Sequence, residues 1–175
     1  ESVQFSDLDA SNPLSMVGHY RLDTIWPHPL LGMAFSDGHN SVYLSLAEIE
    51  EDDALLRHIK ERDDWISLDV KSLFHAQSDK LQFNSIILDV SLLAFIDDSS
   101  LNSYEKMADK FGLPDSPVAI TDDINQNKVR EIALKLIPVS TQLIQSCEEK
   151  DIYDVYRKID YPLIEVLYLM EKEGF

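Results

Sequence analysis

One cysteine in 175 residues, Cys147, rules out a disulfide framework and any cysteine-based zinc motif. A buried apolar role is the reading for it. Five glycines leave little material for a phosphate-cradling loop, and neither GxGxxG, nor a P-loop, nor a GxSxG elbow occurs. No run of eighteen apolar residues is present, and no basic segment followed by an apolar stretch opens the chain, so neither a membrane span nor a secretory leader is expected. The cytoplasm is the expected location. Basic residues are scarce: 15 Lys plus Arg face 32 Asp plus Glu, a net charge of −17 that repels phosphate backbones. DNA binding by this chain alone is expected to be weak or nil. The histidines, His19, His28, His39, His58 and His75, are spaced unlike HExxH or a zinc pattern and read as surface or packing residues.

What is present is enough apolar residue, 45% of the chain, for one well-buried core. Residues 1–16 read as an extended lead-in anchored by Val3, Phe5 and Leu8. Short β-prone runs follow at Val17 to Thr24, Leu30 to Phe35 and Ser41 to Leu46, separated by the turn chemistry of "WPHP" and "SDGHN", and predict three antiparallel strands. Leu55, Leu56 and Ile59 then fall at helical spacing behind an acidic first turn. "WISLD" reads as a buried strand and "VKSLFHAQ" as a helix start, and "NSIILDVSLLAFID" as a strand handing over to a buried helix at Asp89. "SLNSYEKMADKFGLP" predicts a short helix capped by Ser100 or Asn102 and stopped at Gly112. From Ile124 a long helix is expected, bent at Pro138, then a second over Asp151 to Lys158 and a third with Asp160 as N-cap. In that third helix Leu163, Val166, Leu167 and Met170 form a stripe that serves either as a docking face or as internal core.

Metal-dependent nucleic-acid chemistry needs several carboxylates converging on hard cations that clamp the attacking and leaving oxygens of a phosphodiester. Asp23 and Asp69, at expected strand ends, and Glu131, inside the long helix, are the candidates whose backbone would be held by the core. Each also has a plain structural reading, as turn acid, helix N-cap and solvated helix residue respectively.

The order "PLLGMAFSDGHNSVYLSL", "WISLDVKSLFHAQ", "LQFNSIILDVSLLAFIDD", "VREIALKLIPV" and "IDYPLIEVLYLMEKEGF" resembles the 3′-to-5′ exonuclease domain of bacterial DNA polymerase I. The resemblance is to the Bacillus-type branch, in which proofreading is lost, and it runs from about Val17 to the end. It implies an α/β chain with an RNase H-like exonuclease fold, a mixed central sheet flanked by helices, and a helical C-terminal portion. Residues 17–147 would form the exonuclease-type domain and 148–175 the helical connection to the start of a polymerase domain. Starting at Glu1 without Met and ending in a helix, the chain reads as a segment of something longer, with room for an upstream 5′ nuclease domain.

Proofreading members of that family hold two divalent metals with an Asp-x-Glu, an Asn-x-x-x-Asp and a Tyr-x-x-x-Asp. Laid on this sequence, the first falls on Arg21-Leu22-Asp23, the second on Asp69 to Leu73 and the third on Asn127 to Glu131. A cation at position 21 repels metal and would pair with Asp23, while Leu73 cannot ligate. The resemblance therefore implies a vestigial site at Arg21, Asp23, Leu73 and Glu131, with Asp69 as a conceivable substitute ligand, no intact catalytic residue, and no metal or other cofactor in this segment. Mg²⁺ is expected only for the parent polymerase, which would synthesise DNA in replication and repair. The expected partner is the polymerase domain of the same chain, with DNA reached through the full-length protein, no membrane, and a monomeric state. Two other readings stay open: a divergent metal-dependent 3′-to-5′ exonuclease using Asp23, Asp69 and Glu131, and an acidic docking module for a basic protein surface.

Overall fold

The computed structural model describes residues 3–117 and 122–174. Three antiparallel strands come first: β1 (Ser15–Tyr20), β2 (Leu30–Ser36) and β3 (Ser41–Ser45). Alternating helices and strands follow, namely α1 (Leu46–Glu50), α2 (Asp53–Glu61), β4 (Trp65–Ser67), α3 (Val70–His75), β5 (Ile87–Asp89) and α4 (Val90–Asp97). The sheet order is β3-β2-β1-β4-β5, with β4 parallel to β1 and β5 parallel to β4. The C-terminal ends of β1, β4 and β5 consequently lie at one edge of the sheet. The chain closes with α5 (Tyr104–Phe111), the long α6 (Asp123–Glu149), α7 (Tyr153–Val155), a π-helical turn (Tyr156–Asp160) and α8 (Tyr161–Lys172).

Two apolar clusters cover the two faces of this sheet. One gathers Met16, Met33, Phe35, Ile59, Trp65 and Leu73 beneath α2 and α3. The other gathers Val17, Ala34, Leu93, Val129, Leu136 and Leu143 beneath α4 and α6. Alternation along β1, with Met16 in one cluster and Val17 in the other, is what a strand covered on both faces requires. Two buried serines of the sheet are paired: Ser15 Oγ donates to the Ala133 carbonyl (2.5 Å) and Ser67 Oγ to the Met16 carbonyl (2.6 Å).

Several local expectations shift. The strand expected at Val17 to Thr24 runs from Ser15 to Tyr20, and Arg21 to Pro29 form a turn segment instead. The lead-in is more than extended, since Phe5–Asp7 make a 3₁₀ turn and Leu8 is buried. Ser103, rather than Ser100 or Asn102, caps α5 by accepting from the Lys106 N–H, and Gly112 stops the helix at φ +71°. The long helix expected from Ile124 is present as α6, with Pro138 inside it. Asp160 does not cap anything: its backbone is helical (φ −72°, ψ −43°), and the π turn joins α7 to α8 without a break.

The last helices complete the sheet. β5 is an edge strand, and its outward N–H groups need partners. The Asp89 N–H donates to Tyr156 Oη (2.8 Å) and the Ile87 N–H to Tyr161 Oη (2.6 Å), while Tyr161 donates in turn to the Ser85 carbonyl (2.7 Å). Burial raises both phenols far above their ordinary range, which keeps the hydroxyls protonated in these roles.

Candidate functional site

A cleft of about 540 Å³ opens where β1, β4 and β5 end, roofed by α4, α5, α6 and α8. Its wall is largely apolar, with Val17, Leu92, Phe95, Leu101, Met107 and Ile132 contributing. Acids enter it at only two described positions, Asp69 and Asp89, both placed by strand-to-helix junctions.

Asp89 is fully engaged in holding the backbone. Its Oδ1 accepts from the Ser91 hydroxyl (2.6 Å) and the Leu92 N–H (3.1 Å), and its Oδ2 accepts from the Val70 N–H (3.0 Å). It thus caps α4 and, across the sheet, α3. Burial, with the neighbouring Asp69 charge adding to it, pushes its carboxyl above the usual range in spite of these donors. Asp69 sits at the start of α3 in a left-handed conformation (φ 53°). Its side chain accepts from the Ser72 hydroxyl (2.6 Å), and its N–H donates to Ser91 Oγ (3.2 Å), leaving the residue exposed at the cleft wall.

On β1 the two residues that face the cleft at i, i+2 spacing are Gly18 and Tyr20. The tyrosine ring folds back over the glycine: a Cβ at position 18 would lie 2.5 Å from Tyr20 Cζ and Oη. The absence of a side chain at 18 is therefore what lets the ring lie there. Tyr20 Oη is sealed from solvent and has no hydrogen-bond partner among the described residues, and burial raises its phenol well above the ordinary value.

The four vestigial positions read from the sequence are scattered. Arg21 and Asp23 lie beyond the end of β1, not on it, and pair with one another on the surface (3.3 Å, both about half exposed). Arg21 holds the Asp23 carboxyl below its usual range. Leu73 is fully buried in the cluster beneath α3 and does not line the cleft. Glu131 is exposed on the outer side of α6, 3.7 Å from Lys135, whereas its neighbour Ile132 faces the cleft. Of the sequence candidates, Asp69 alone reaches the cleft wall.

Gly18, Tyr20, Asp89 and Ile132 were missed. The usable signal was strand length: "SMVGHY" is the buried run, and a strand spanning the core ends once Arg21 and the Asp23-Thr24 turn begin.

A pair of hard cations needs several carboxylates with free lone pairs. Among the described residues no three His, Cys, Asp or Glu side chains come together in a group able to hold a metal ion, and both oxygens of Asp89 are already occupied. The donor set of the cleft does not fit a metal pair. The α8 stripe of Leu163, Val166, Leu167 and Met170 is between 41% and 49% exposed, so it is a surface and not internal core.

No protein-family model matches the sequence, and no curated protein matches it. Solved structures do match by shape. A polymerase-domain structure of Pol1 from M. smegmatis in complex with DNA primer-template and dNTP superposes with a TM-score of 0.70 at 14% identity, over 91% of this chain and 28% of that one. Brucella melitensis NrnC with bound Mg²⁺ gives 0.70 at 10% identity, over 93% of this chain and 86% of that one. Escherichia coli RNase D, an exoribonuclease involved in structured RNA processing, gives 0.71 at 11% identity, over 90% and 45%. The chain thus spans little more than a quarter of the M. smegmatis polymerase chain. Together with the mixed five-stranded sheet, these likenesses establish an RNase H-like 3′-to-5′ exonuclease fold with a helical C-terminal portion.

Proposed function

We propose that this chain is a proofreading-exonuclease-like domain of the bacterial DNA polymerase I type that has lost metal-dependent nuclease chemistry and serves as a structural platform beside a polymerase domain. The observation that carries the reading is the floor of the cleft. Where the fold offers an i, i+2 pair on its central strand, this chain has Gly18 and a tyrosine laid over it, and the remaining acid at the β5 junction is committed to capping two helices. Two-metal hydrolysis depends on carboxylate charge that this cleft does not concentrate. The net charge of −17 further opposes a phosphodiester strand, so DNA would be engaged through the full-length protein, with Mg²⁺ acting in its polymerase domain. In this reading the exposed α8 stripe faces the polymerase domain, and the whole protein works as a monomer in the cytoplasm on replication and repair synthesis.

The test has two arms. The purified chain, incubated with 3′-labelled single-stranded DNA and Mg²⁺ or Mn²⁺, is expected to leave the label intact; shortening that disappears in Asp69→Asn overturns the loss of nuclease chemistry. In the full-length protein, deleting this domain is expected to shorten the half-life of polymerase activity on heating. An unchanged half-life overturns the platform role.

A further inference from the structure

Loss of carboxylates has not closed the cleft. At about 540 Å³ it lies within the range of small-molecule sites, roughly 300–1,000 Å³, and it combines an apolar wall with a few placed polar groups. Three features restrict what could occupy it.

The first is charge. Lys71 is the one basic residue among the described residues that line the cleft, and it is already neutralised by Glu171 (Nζ to Oε2, 2.8 Å). Asp69 stays exposed and has no cationic partner among the described ion pairs, in a molecule of net charge −17. The unbalanced charge at the wall is negative. Anionic ligands, nucleotides and phosphates included, are disfavoured there, and a cation is favoured. The second is ring surface. Tyr20 and Tyr104 line the cleft with Phe95, in the same cleft that Asp69 lines, so a cationic head beside the carboxylate would also meet an aromatic face. The third is the sealed Tyr20 hydroxyl, a buried polar atom with no partner among the described residues, whose lone pairs an ammonium N–H would satisfy once the ring shifts off Gly18. Beyond that head group, Leu92, Phe95, Met107 and Leu167 offer only apolar contact.

We infer that the cleft is a binding site for a small amphipathic organic cation, an aryl or alkyl chain carrying a primary ammonium group, with the ammonium between Asp69 and Tyr20 and the apolar tail toward Phe95 and Leu167. The site calls for no metal ion: it uses one carboxylate, Asp69, with the ring of Tyr20, and binding of the probes is read in the absence of Mg²⁺ and Mn²⁺.

Three probes of matched shape test it by calorimetry and by NMR shift mapping on the intact chain: 4-phenylbutylammonium, 4-phenylbutanol and 5-phenylpentanoate. The ammonium is expected to bind roughly tenfold tighter than the alcohol, from one ion pair and one cation–π contact, and the carboxylate weakest of all. Asp69→Asn, which keeps a residue type at home in the left-handed region, is expected to bring the ammonium down to the alcohol's affinity while thermal unfolding shows the fold retained. Phe95→Ala, on the exposed rim, is expected to weaken ammonium and alcohol together. No ammonium binding up to 10 mM (about 2.7 kcal/mol on the affinity scale), equal affinity for all three probes, or indifference of the ammonium to Asp69→Asn each overturns the inference. Shifts confined to Leu163, Val166 and Met170, the stripe residues of α8 outside the cleft lining, would also overturn it, by locating an apolar surface instead of the cleft.

Discussion

At the scale of single residues, the distinction between a relic and a rebuilt site rests on where each side chain points. Leu73 is where the resemblance places a ligand, and the plain expectation is that restoring Asp there moves the chain back toward metal binding. The packing says otherwise. Leu73 is fully buried in the cluster beneath α3 with Trp65 and Phe74, so a carboxylate at 73 would be an unpaired charge in the core. Leu73→Asp is expected to cost more than about 3 kcal/mol, a large part of the stability of a domain of this size. Urea denaturation checks it: the midpoint falls sharply, and Mn²⁺ does not raise it again. An unchanged midpoint would place Leu73 at the cleft and reopen the metal site. Asp89 shows the opposite case, an acid that looks catalytic by position and is structural by its bonds, since three donors fill it.

At the scale of elements, legibility followed how local the determinants are. α6 was readable because 3.6-residue periodicity is written in consecutive residues, and the three antiparallel strands because their turns are. The end of β1 was not, since β-prone Thr24 and Ile25 extend the pattern past Tyr20 while the pairing with β2 and β4 that defines the strand lies elsewhere in the chain. With the strand ending at Tyr20, it is Gly18 and Tyr20 that lie on β1 at the cleft, and Arg21 and Asp23 that lie beyond it. The same nonlocality hid the function of α8, which is tied to α3 through Glu171: Lys71 Nζ and His75 Nε2 each lie 2.8 Å from its carboxylate, and the Trp26 indole N–H donates to it at 3.3 Å. Lys71 first, then His75, holds the Glu171 carboxyl down to about 2 from an ordinary 4.5. A depressed acid contributes stability that is present above its unfolded value and is lost as pH falls through its folded one. Wild type is therefore expected to melt above Glu171→Gln at pH 7, and the difference to shrink between about pH 4.5 and pH 2. Melting curves of the two proteins across that range check it, and a difference that persists at pH 2 would show that the contact acts through packing and not charge.

At the scale of the whole molecule, two electrostatic effects oppose each other. The ion pairs are favourable, but three of the seven among the described residues join exposed side chains: Arg21–Asp23, Lys110–Asp98 and Lys135–Glu131 all have both partners at least 40% exposed. Such pairs contribute about 0–1 kcal/mol each and weaken with salt. Against them stands a net charge of −17 on a fold of 175 residues, whose mutual repulsion the unfolded chain relieves by expanding. Screening acts on both, with a Debye length that falls from about 30 Å at 0.01 M to about 8 Å at 0.15 M. Contacts of 3 to 4 Å lie inside either length, whereas like charges spread over the surface lie between the two, so added salt removes more repulsion than attraction. Raising NaCl from 10 to 150 mM, about 30 Å to 8 Å of screening length, is expected to increase the melting temperature by a few degrees, each 1 kcal/mol being worth roughly 2–4 °C at this size. Sodium chloride titration followed by calorimetry checks it. A fall in melting temperature would mean that the ion pairs, with Lys71–Glu171 and Lys150–Asp97 the best placed among them, outweigh the repulsion, and that the acidic surface is arranged for cohesion within the domain rather than tolerated by it.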